Sequence, residues 1–304
     1  MALQSSGQIS LNDLHVEAGG SSGSECSFND SDIRDLIDKS SGAQSAMNEF
    51  YGASSVTAPV WNGSTYTFDL GTPDTIETKT GNFTLSQGGA VAIIAIGGGG
   101  GGGTVPDNDN PKSAMGGAGG GVSIKGIVGT SGMSFTASRG GAGQTGETYT
   151  STYARAAGLA GGNTTVSGNG ISLTANGGAG GAIVTSSSTM YGGSASGGDA
   201  NYAGGNASPI GGNTAGGGGS AGGGNSNTGN YNTTSNASPL DTGWLAPYIG
   251  RGGNGGASGN PYYQGSDGSN YGAGGGGGWM YTGGSNEGDG GYGSAGIILV
   301  CYWT

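Results

Sequence analysis

Ala90-Val91-Ala92-Ile93-Ile94-Ala95-Ile96 runs without a break into seven glycines, Gly97 to Gly103, and this junction decides the fold. An unbroken apolar run of that length reads as a strand buried on both faces. The glycines after it bring no side chain to bury and lose more backbone freedom on folding than any other residue. A strand that feeds such a block needs an architecture in which a bare backbone is an advantage.

The chain has 77 glycines in 304 residues, a composition that by default gives a flexible linker. Collagen needs glycine at every third position and abundant proline, whereas these glycines cluster irregularly and there are 8 prolines. Calcium-binding β-helix repeats need aspartate at fixed offsets from paired glycines, a pattern the chain lacks. The ordered form left is the threefold polyproline II helix built from glycine, whose outward N–H and C=O groups bond to neighbouring helices.

The strand-to-glycine unit recurs. Ser134-Phe135-Thr136-Ala137-Ser138-Arg139-Gly140-Gly141-Ala142-Gly143 echoes Ser172-Leu173-Thr174-Ala175-Asn176-Gly177-Gly178-Ala179-Gly180, and further blocks begin near Gly116, Gly158, Gly192, Gly204, Gly216, Gly250 and Gly272. The apolar C-terminal stretch 295–303 would be an aggregation-prone edge if unpaired, so it is expected to pair with Ala90 to Ile96. Between Val60 and Ile96 the pattern is β: Ser64 to Leu70 alternates polar with apolar, Gly71-Thr72-Pro73-Asp74 is a turn, and 75–85 alternates again. Trp61, Tyr66 and Phe68 read as core anchors.

Residues 1–55 differ in composition. Gln8 to Leu11 and Leu14 to Glu17 read as short strand pieces. Asn29-Asp30-Ser31-Asp32 supplies caps for a short helix that puts Ile33, Leu36 and Ile37 on one face, and Ala46 to Tyr51 makes a helical turn ending at Gly52. With few apolar groups, this segment is expected to pack on a partner chain. The expected class is mainly β with polyglycine-II helices and very little α-helix. It divides into an N-terminal module 1–55, a β-sheet or jelly-roll-like region 56–96, and a glycine-rich sandwich 97–304 continuous with that region and closed by the 295–303 strand.

Net charge is -11 (Lys+Arg 8 against Asp+Glu 19), which opposes binding to phosphate backbones, so no nucleic-acid partner is expected. No basic-then-apolar leader and no apolar run of membrane-spanning length is apparent, which points to synthesis in a cytoplasm. Cys26 and Cys301 have no C-x-x-C spacing and are expected to stay free thiols.

Ser27-Phe28-Asn29-Asp30-Ser31-Asp32-Ile33-Arg34-Asp35-Leu36, then Ser41-Gly42-Ala43-Gln44, then Met47-Asn48-Glu49-Phe50-Tyr51-Gly52 resembles an N-terminal module of tailed-bacteriophage structural proteins. The layout beyond it, with strands running into polyglycine, Leu173-Thr174-Ala175-Asn176-Gly177-Gly178-Ala179-Gly180-Gly181 and a closing apolar strand, is similar to glycine-rich phage tail proteins. Glycine blocks separated by variable segments resemble the polyglycine-sandwich adhesins at the tips of long tail fibres in T-even-type phages. The resemblance implies a virion protein of the tail or fibre, without enzymatic activity. Its N-terminus would attach to other tail or fibre proteins through Ile33, Leu36, Ile37, Met47, Phe50 and Tyr51. Its partner would be a bacterial surface receptor, an outer-membrane protein or glycan, and the chain could form a homo-oligomer.

If the glycine helices form a slab, the segments between them carry the side chains available to a receptor. Tyr191, Tyr202, Tyr231, Trp244, Tyr248, Tyr262, Tyr263, Tyr271, Trp279 and Tyr281 fall in or beside these segments, and Tyr with Ser, Gly and Asn is the composition of adaptable recognition loops. The same rings could instead shield the sandwich or pack between subunits. A purely architectural fibre, tail or capsid-decoration subunit is the alternative function. An ice-binding glycine-helix protein would need a regular Thr or Ala face, which the irregular Tyr- and Asn-rich segments argue against.

Catalytic patterns are coincidental. Gly97 to Gly102 matches G-x-G-x-x-G, but Thr104-Val105-Pro106 cannot begin the helix a dinucleotide site requires. Gly218-Gly219-Ser220-Ala221-Gly222 matches G-x-S-x-G, yet the one histidine, His15, lies in the N-terminal module. No cofactor or metal is expected: His15 has no neighbouring ligand, and Pro111 interrupts EF-hand spacing at Asp107 and Asp109.

Overall fold

The computed structural model describes residues 3–37, 39–40, 42–53, 56–105, 114–146, 157–183, 189–207, 215–222, 238–241, 243–256, 264–279 and 288–303. It is mainly β, with two short α-helices in the N-terminal module.

Ser10 starts α1 (Leu11–Glu17): its amide donates to the Asp13 carboxylate at 2.8 Å while its hydroxyl accepts from the Asp13 amide. This capping box corrects the strand pieces read at 8–11 and 14–17, because reciprocal satisfaction of two end groups outweighs a short alternation. Asp30 precedes α2 (Ser31–Asp35), and a 3-10 turn at Met47–Phe50 ends before Gly52, whose φ of +75° is the left-handed value glycine adopts freely. Leu3, Ile9, Leu14, Ile33 and Phe50 close on one another as a small core. The segment read as short of apolar groups thus buries these five internally, while Val16, Phe28 and Tyr51 stay exposed.

β1 (Trp61–Asn62) and β2 (Thr67–Phe68) form a tight hairpin, which replaces the continuous strand expected over 64–70. The Asn62 side-chain oxygen accepts from the Ser64 and Thr65 amides and turns the chain back, and Tyr66 sits at φ +53°. The remaining strands are β3 (Thr75–Lys79), β4 (Phe83–Thr84), β5 (Gly89–Ile96), β6 (Val122–Gly129), β7 (Ser134–Ser138), β8 (Thr164–Gly168), β9 (Ile171–Ala175), β10 (Ala195–Ser196), β11 (Ala200–Tyr202) and β12 (Ile297–Trp303). They form two antiparallel five-stranded sheets, ordered β11-β6-β5-β12-β3 and β10-β9-β8-β7-β4. β12 lies beside β5 from Ile297↔Ile96 to Trp303↔Ala90, the pairing expected from the two apolar runs. The two halves of the sequence echo, β7 and β9, flank β8 in the second sheet.

β5 is apolar throughout because both of its faces are covered. Val91, Ile93 and Ala95 join Ile298, Val300 and Tyr302 against Phe135, Val166 and Leu173 of the second sheet. Ala90, Ala92, Ile94 and Ile96 face the opposite way, under Trp61, Phe68, Leu240, Leu245 and Ile249.

One end of the sandwich continues into glycine rods. The 97–103 rod leaves β5, and the amides of Gly97, Gly100 and Gly103 donate to Gly121, Ala118 and Met115. Those of Gly98 and Gly101 donate to Gly162 and Leu159, and those of Gly99 and Gly102 to Ser294 and Gly291. Its carbonyls accept from three more neighbours: Gly178 and Gly181, Gly143 and Gly146, and Gly275 and Gly278. Bonds to successive residues thus rotate through three directions, which is the threefold helix of polyglycine II with six neighbours. The rods that accept from its amides run antiparallel to it, and those that donate to its carbonyls run parallel. The 114–121 rod is surrounded in the same way, including Gly205, Gly193 and Gly219 among its partners. Strands β6 to β12 lie beyond residue 97, so the boundary drawn at 96 separates a strand from the rod it enters.

Rods this close leave no room for side chains. A Cβ at Gly99 would lie 1.9 Å from the Ala273 carbonyl oxygen, at Gly101 1.9 Å from that of Gln144, and at Gly102 2.0 Å from that of Gly276. At Gly141 it would meet nothing within 4 Å. Gly101→Ala is therefore expected to destabilise by on the order of 3 kcal/mol and to lower the calorimetric melting temperature. Gly141→Ala is expected to leave that temperature unchanged or slightly raised through a stiffer unfolded chain. Equal melting temperatures for the two variants would show that the rods do not pack at this separation.

Candidate functional site

The rods end together on the side away from the sandwich. There Gly103 donates to Met115, Met115 to Ala182, Ala114 to Gly278, Gly216 to Ala114, Ala215 to Gly256 and Gly256 to Gly277. Isolated bridges Val105↔Gly288 and Met190↔Ala207 tie further ends into the same face. The described residues that flank six stretches of the sequence, 106–113, 147–156, 184–188, 208–214, 257–263 and 280–287, lie on this far face, and the stretches themselves lie outside the described residues. They contain Tyr149, Tyr153, Tyr262, Tyr263 and Tyr281. Tyr231, also outside the described residues, belongs to 223–237, which leaves Gly222 at the sandwich end, where Gly222 donates to Gly120.

The described aromatic candidates are not one surface. Tyr191 is 72% exposed beside the 176–183 rod, where its carbonyl accepts from Ala179. Tyr202, Trp244, Tyr248 and Tyr271 are instead half-buried against the outer face of the first sheet. The Tyr202 hydroxyl accepts from the Trp61 indole N–H at 2.7 Å, and its ring tilts against Tyr66. Trp244 stacks on Phe68 at 6.3 Å, and Phe68 meets Trp61 and Trp303 edge-on at 4.9 Å. Trp279 is 2% exposed at a rod end. For Trp279 the reading as a displayed contact is corrected, because a buried ring offers a partner no surface, and the four half-buried rings cover the sheet. Tyr292, 43% exposed, escaped the sequence reading because it lies inside a glycine run rather than between runs.

In the N-terminal module Ile33 and Phe50 are fully buried, and Leu36, Ile37 and Met47 pack on them. Their reading as attachment contacts is corrected for Ile33 and Phe50, which hold the module together. Val16, 45% exposed, Phe28, 39% exposed against Phe50, and Tyr51, 37% exposed with its hydroxyl on the Gly7 carbonyl, are the module's exposed large apolar side chains among the described residues. The Lys39 ammonium and the Ala46 amide hold the Glu49 carboxyl below its usual range.

Neither sequence pattern for catalysis meets its partners. Gly97 to Gly102 continue as a rod rather than a helix, and Ser220 is buried in the 215–222 rod while the His15 Nε2 pairs with Ser24. Among the described residues no group of three or more His, Cys, Asp or Glu side chains could hold a metal, and no helix is long and apolar enough to cross a membrane. Asp107 and Asp109 lie outside the described residues.

Both cysteines are free, and burial in β12 pushes the Cys301 thiol up to about 12. A maleimide added to the folded protein at mildly alkaline pH is expected to label Cys26 alone, with Cys301 reacting only after unfolding. Tyr202→Phe should cost about 1–2 kcal/mol by stranding the Trp61 indole N–H, whereas Tyr191→Ala should leave the denaturant midpoint unchanged. A larger loss at Tyr191 than at Tyr202 would reverse the structural assignment of the two rings.

A family model described as a glycine-rich domain matches residues 75–303, from β3 to the end of β12. None of the curated proteins compared with the chain matches it. The match covers most of the chain, and the chain belongs to the glycine-rich domain family.

Proposed function

We propose that this chain is a bacteriophage tail or tail-fibre protein whose rod bundle is a stiff mount, with its far face directed at a bacterial surface receptor. The observation that carries the reading is the convergence of the rod ends on one face, from which six segments leave. The interior of the bundle is nearly devoid of side chains, and the segments between rods carry much of the chemical variety. Tyrosines at 149, 153, 262, 263 and 281, set among Ser, Thr and Asn, give these segments the composition of recognition loops. A receptor of the glycan or outer-membrane-protein class fits amphipathic, weakly charged contacts of this kind.

The N-terminal module would join the chain to other tail or fibre proteins in the virion, using the exposed Phe28 and Tyr51 rather than the residues of its core. Synthesis in the host cytoplasm before assembly accords with two free thiols. The function would be binding and display, without a catalytic step.

An architectural role is the second reading, and it is favoured by the inward packing of Tyr202, Trp244, Tyr248, Tyr271 and Trp279, which leaves fewer rings for a receptor. Replacing 147–156 and 257–263 with Gly/Ser segments of equal length separates the two. Particles that assemble with the altered chain and no longer adsorb to their host support recognition. Particles that adsorb normally overturn it and leave architecture. Deleting residues 1–53 should remove the chain from particles without unfolding the remainder, as read by immunoblot of purified virions.

A further inference from the structure

An asparagine followed by glycine can be attacked by its own backbone, because the glycine nitrogen has no Cβ beside it to hinder its approach to the side-chain carbonyl carbon. The chain has four such pairs, Asn62-Gly63, Asn169-Gly170, Asn176-Gly177 and Asn254-Gly255, and all four lie within the described residues. Ring closure needs three conditions together: a glycine N–H not held by another acceptor, a carboxamide nitrogen free to leave, and support for the negative charge that builds on the side-chain oxygen.

The fold withdraws at least one condition at three of the pairs. At Asn176 the Gly177 amide donates to the Asn163 side-chain oxygen at 2.9 Å and the Asn176 Nδ2 donates to the Ser194 hydroxyl at 2.7 Å, so attacking nitrogen and leaving group are both held. Asn169, in the turn between β8 and β9 at φ +50°, has its Nδ2 on the Ser134 carbonyl at 2.7 Å. The Asn254 amide and carbonyl both bond to Ser266, and no amide supports its side-chain oxygen among the described residues. Gly255 also lies so near the neighbouring rod that a Cβ there would sit 2.3 Å from the Ala215 carbonyl oxygen.

Asn62 keeps all three conditions. It is exposed at the tip of the β1–β2 hairpin, and neither the Gly63 N–H nor the Asn62 Nδ2 has a partner among the described residues. Its Oδ1 accepts from the Ser64 amide at 2.9 Å and the Thr65 amide at 3.3 Å. A side-chain oxygen bonded to the amides two and three residues further on lies alongside the Gly63 peptide, which carries Cγ to the nitrogen that must attack it. The same two amides are placed to stabilise the oxyanion formed by that attack.

We propose that Asn62-Gly63 is a site of spontaneous deamidation that the folded chain favours. The Gly63 nitrogen, its proton taken by solvent base, adds to the Asn62 Cγ; the bond from Cγ to Nδ2 breaks, ammonia leaves, and a five-membered succinimide remains. Water opens the ring at either carbonyl, giving aspartate or isoaspartate at position 62. Each product adds a negative charge to a chain already at -11. Aspartate can still accept from the Ser64 and Thr65 amides. Isoaspartate inserts a methylene into the main chain between Trp61 and Phe68, whose rings meet edge-on at 4.9 Å over the first sheet, and so loosens that cover.

Peptide mapping by mass spectrometry tests this, with the full chain incubated in mildly alkaline buffer either folded or unfolded in urea. In the folded chain the mass gain of an amide turned to a carboxyl is expected first in the peptide containing Asn62, partly as isoaspartate, and no more slowly than in urea. Asn169, Asn176 and Asn254 should each slow several-fold on folding. Gly63→Ala should suppress the change at Asn62 by crowding the attacking nitrogen, with the melting temperature unchanged, since Gly63 is not at positive φ and a Cβ there meets only the Tyr202 hydroxyl, at 3.5 Å. Folding that slows Asn62 as it slows the other three, or a mass gain at full rate in Gly63→Ala, would overturn the proposal.

Discussion

The fold depends on how closely two bare backbones can approach. When every side chain is a hydrogen atom, a threefold helix can carry six neighbours at hydrogen-bonding distance, and the lattice itself becomes the interior. The 97–103 rod meets this condition on all sides, with each amide engaged and a Cβ at Gly98 to Gly102 falling 1.9–2.1 Å from a neighbour's carbonyl oxygen. Glycine here is selected by the space between rods rather than by its freedom at positive φ, since none of these seven residues adopts it. Alanine is admitted at positions such as Ala118 and Ala273, where the methyl group finds a gap between rods and is fully buried.

Such a lattice is close to energetic balance on its own. In its interior each residue gains one shared hydrogen bond, net about 0.5–1.5 kcal/mol, against about 1–2 kcal/mol for fixing its backbone. The surplus comes from the sandwich, where β5 and β12 bury both faces between two apolar layers. The two parts are joined at a seam of buried hydroxyls. Thr164, at the start of β8, donates to the Ile96 carbonyl at 2.7 Å and accepts from the Gly140 amide at 3.0 Å, so one side chain holds three segments where strand becomes rod. Thr104 serves the far side similarly, accepting from Gly290. The strands thus set the register of the rods, which have no side chains with which to set their own.

Much of this was legible in the sequence because the two periodicities are unambiguous. An apolar run beside a glycine run left little choice for 90–103, and the matching run at 295–303 had one obvious partner. The order of rods in the lattice was not legible, because a glycine helix carries no label, and nothing in 272–278 says that it lies beside 97–103 rather than at the rim. The helix α1 was missed because the Ser10-Asp13 capping signal is local and short, while alternation over the same residues suggested strands. Which of the aromatic rings face solvent was not legible for a related reason. Composition marks Tyr202, Trp244 and Tyr271 as available rings, but whether a ring faces solvent or the back of a sheet depends on the crossing of distant segments, and here segment 238–249 returns to cover β5 and β12.

A bundle of this kind separates stiffness from chemical identity. In an ordinary domain, changing a surface loop shifts side chains that also pack the core, so variation in the loop disturbs the scaffold. Here the far face is held by backbone bonds between rod ends such as 103, 115, 182, 216, 256 and 278, and none of those bonds uses a side chain of the segments that leave it. The proposed display role would then let those segments change length and sequence while the rods stay the same, provided the glycines within the rods are kept. The constraint is therefore uneven along the chain: severe at a residue such as Gly101, where one methyl group has no room, and slack a few residues further on, where the rod ends.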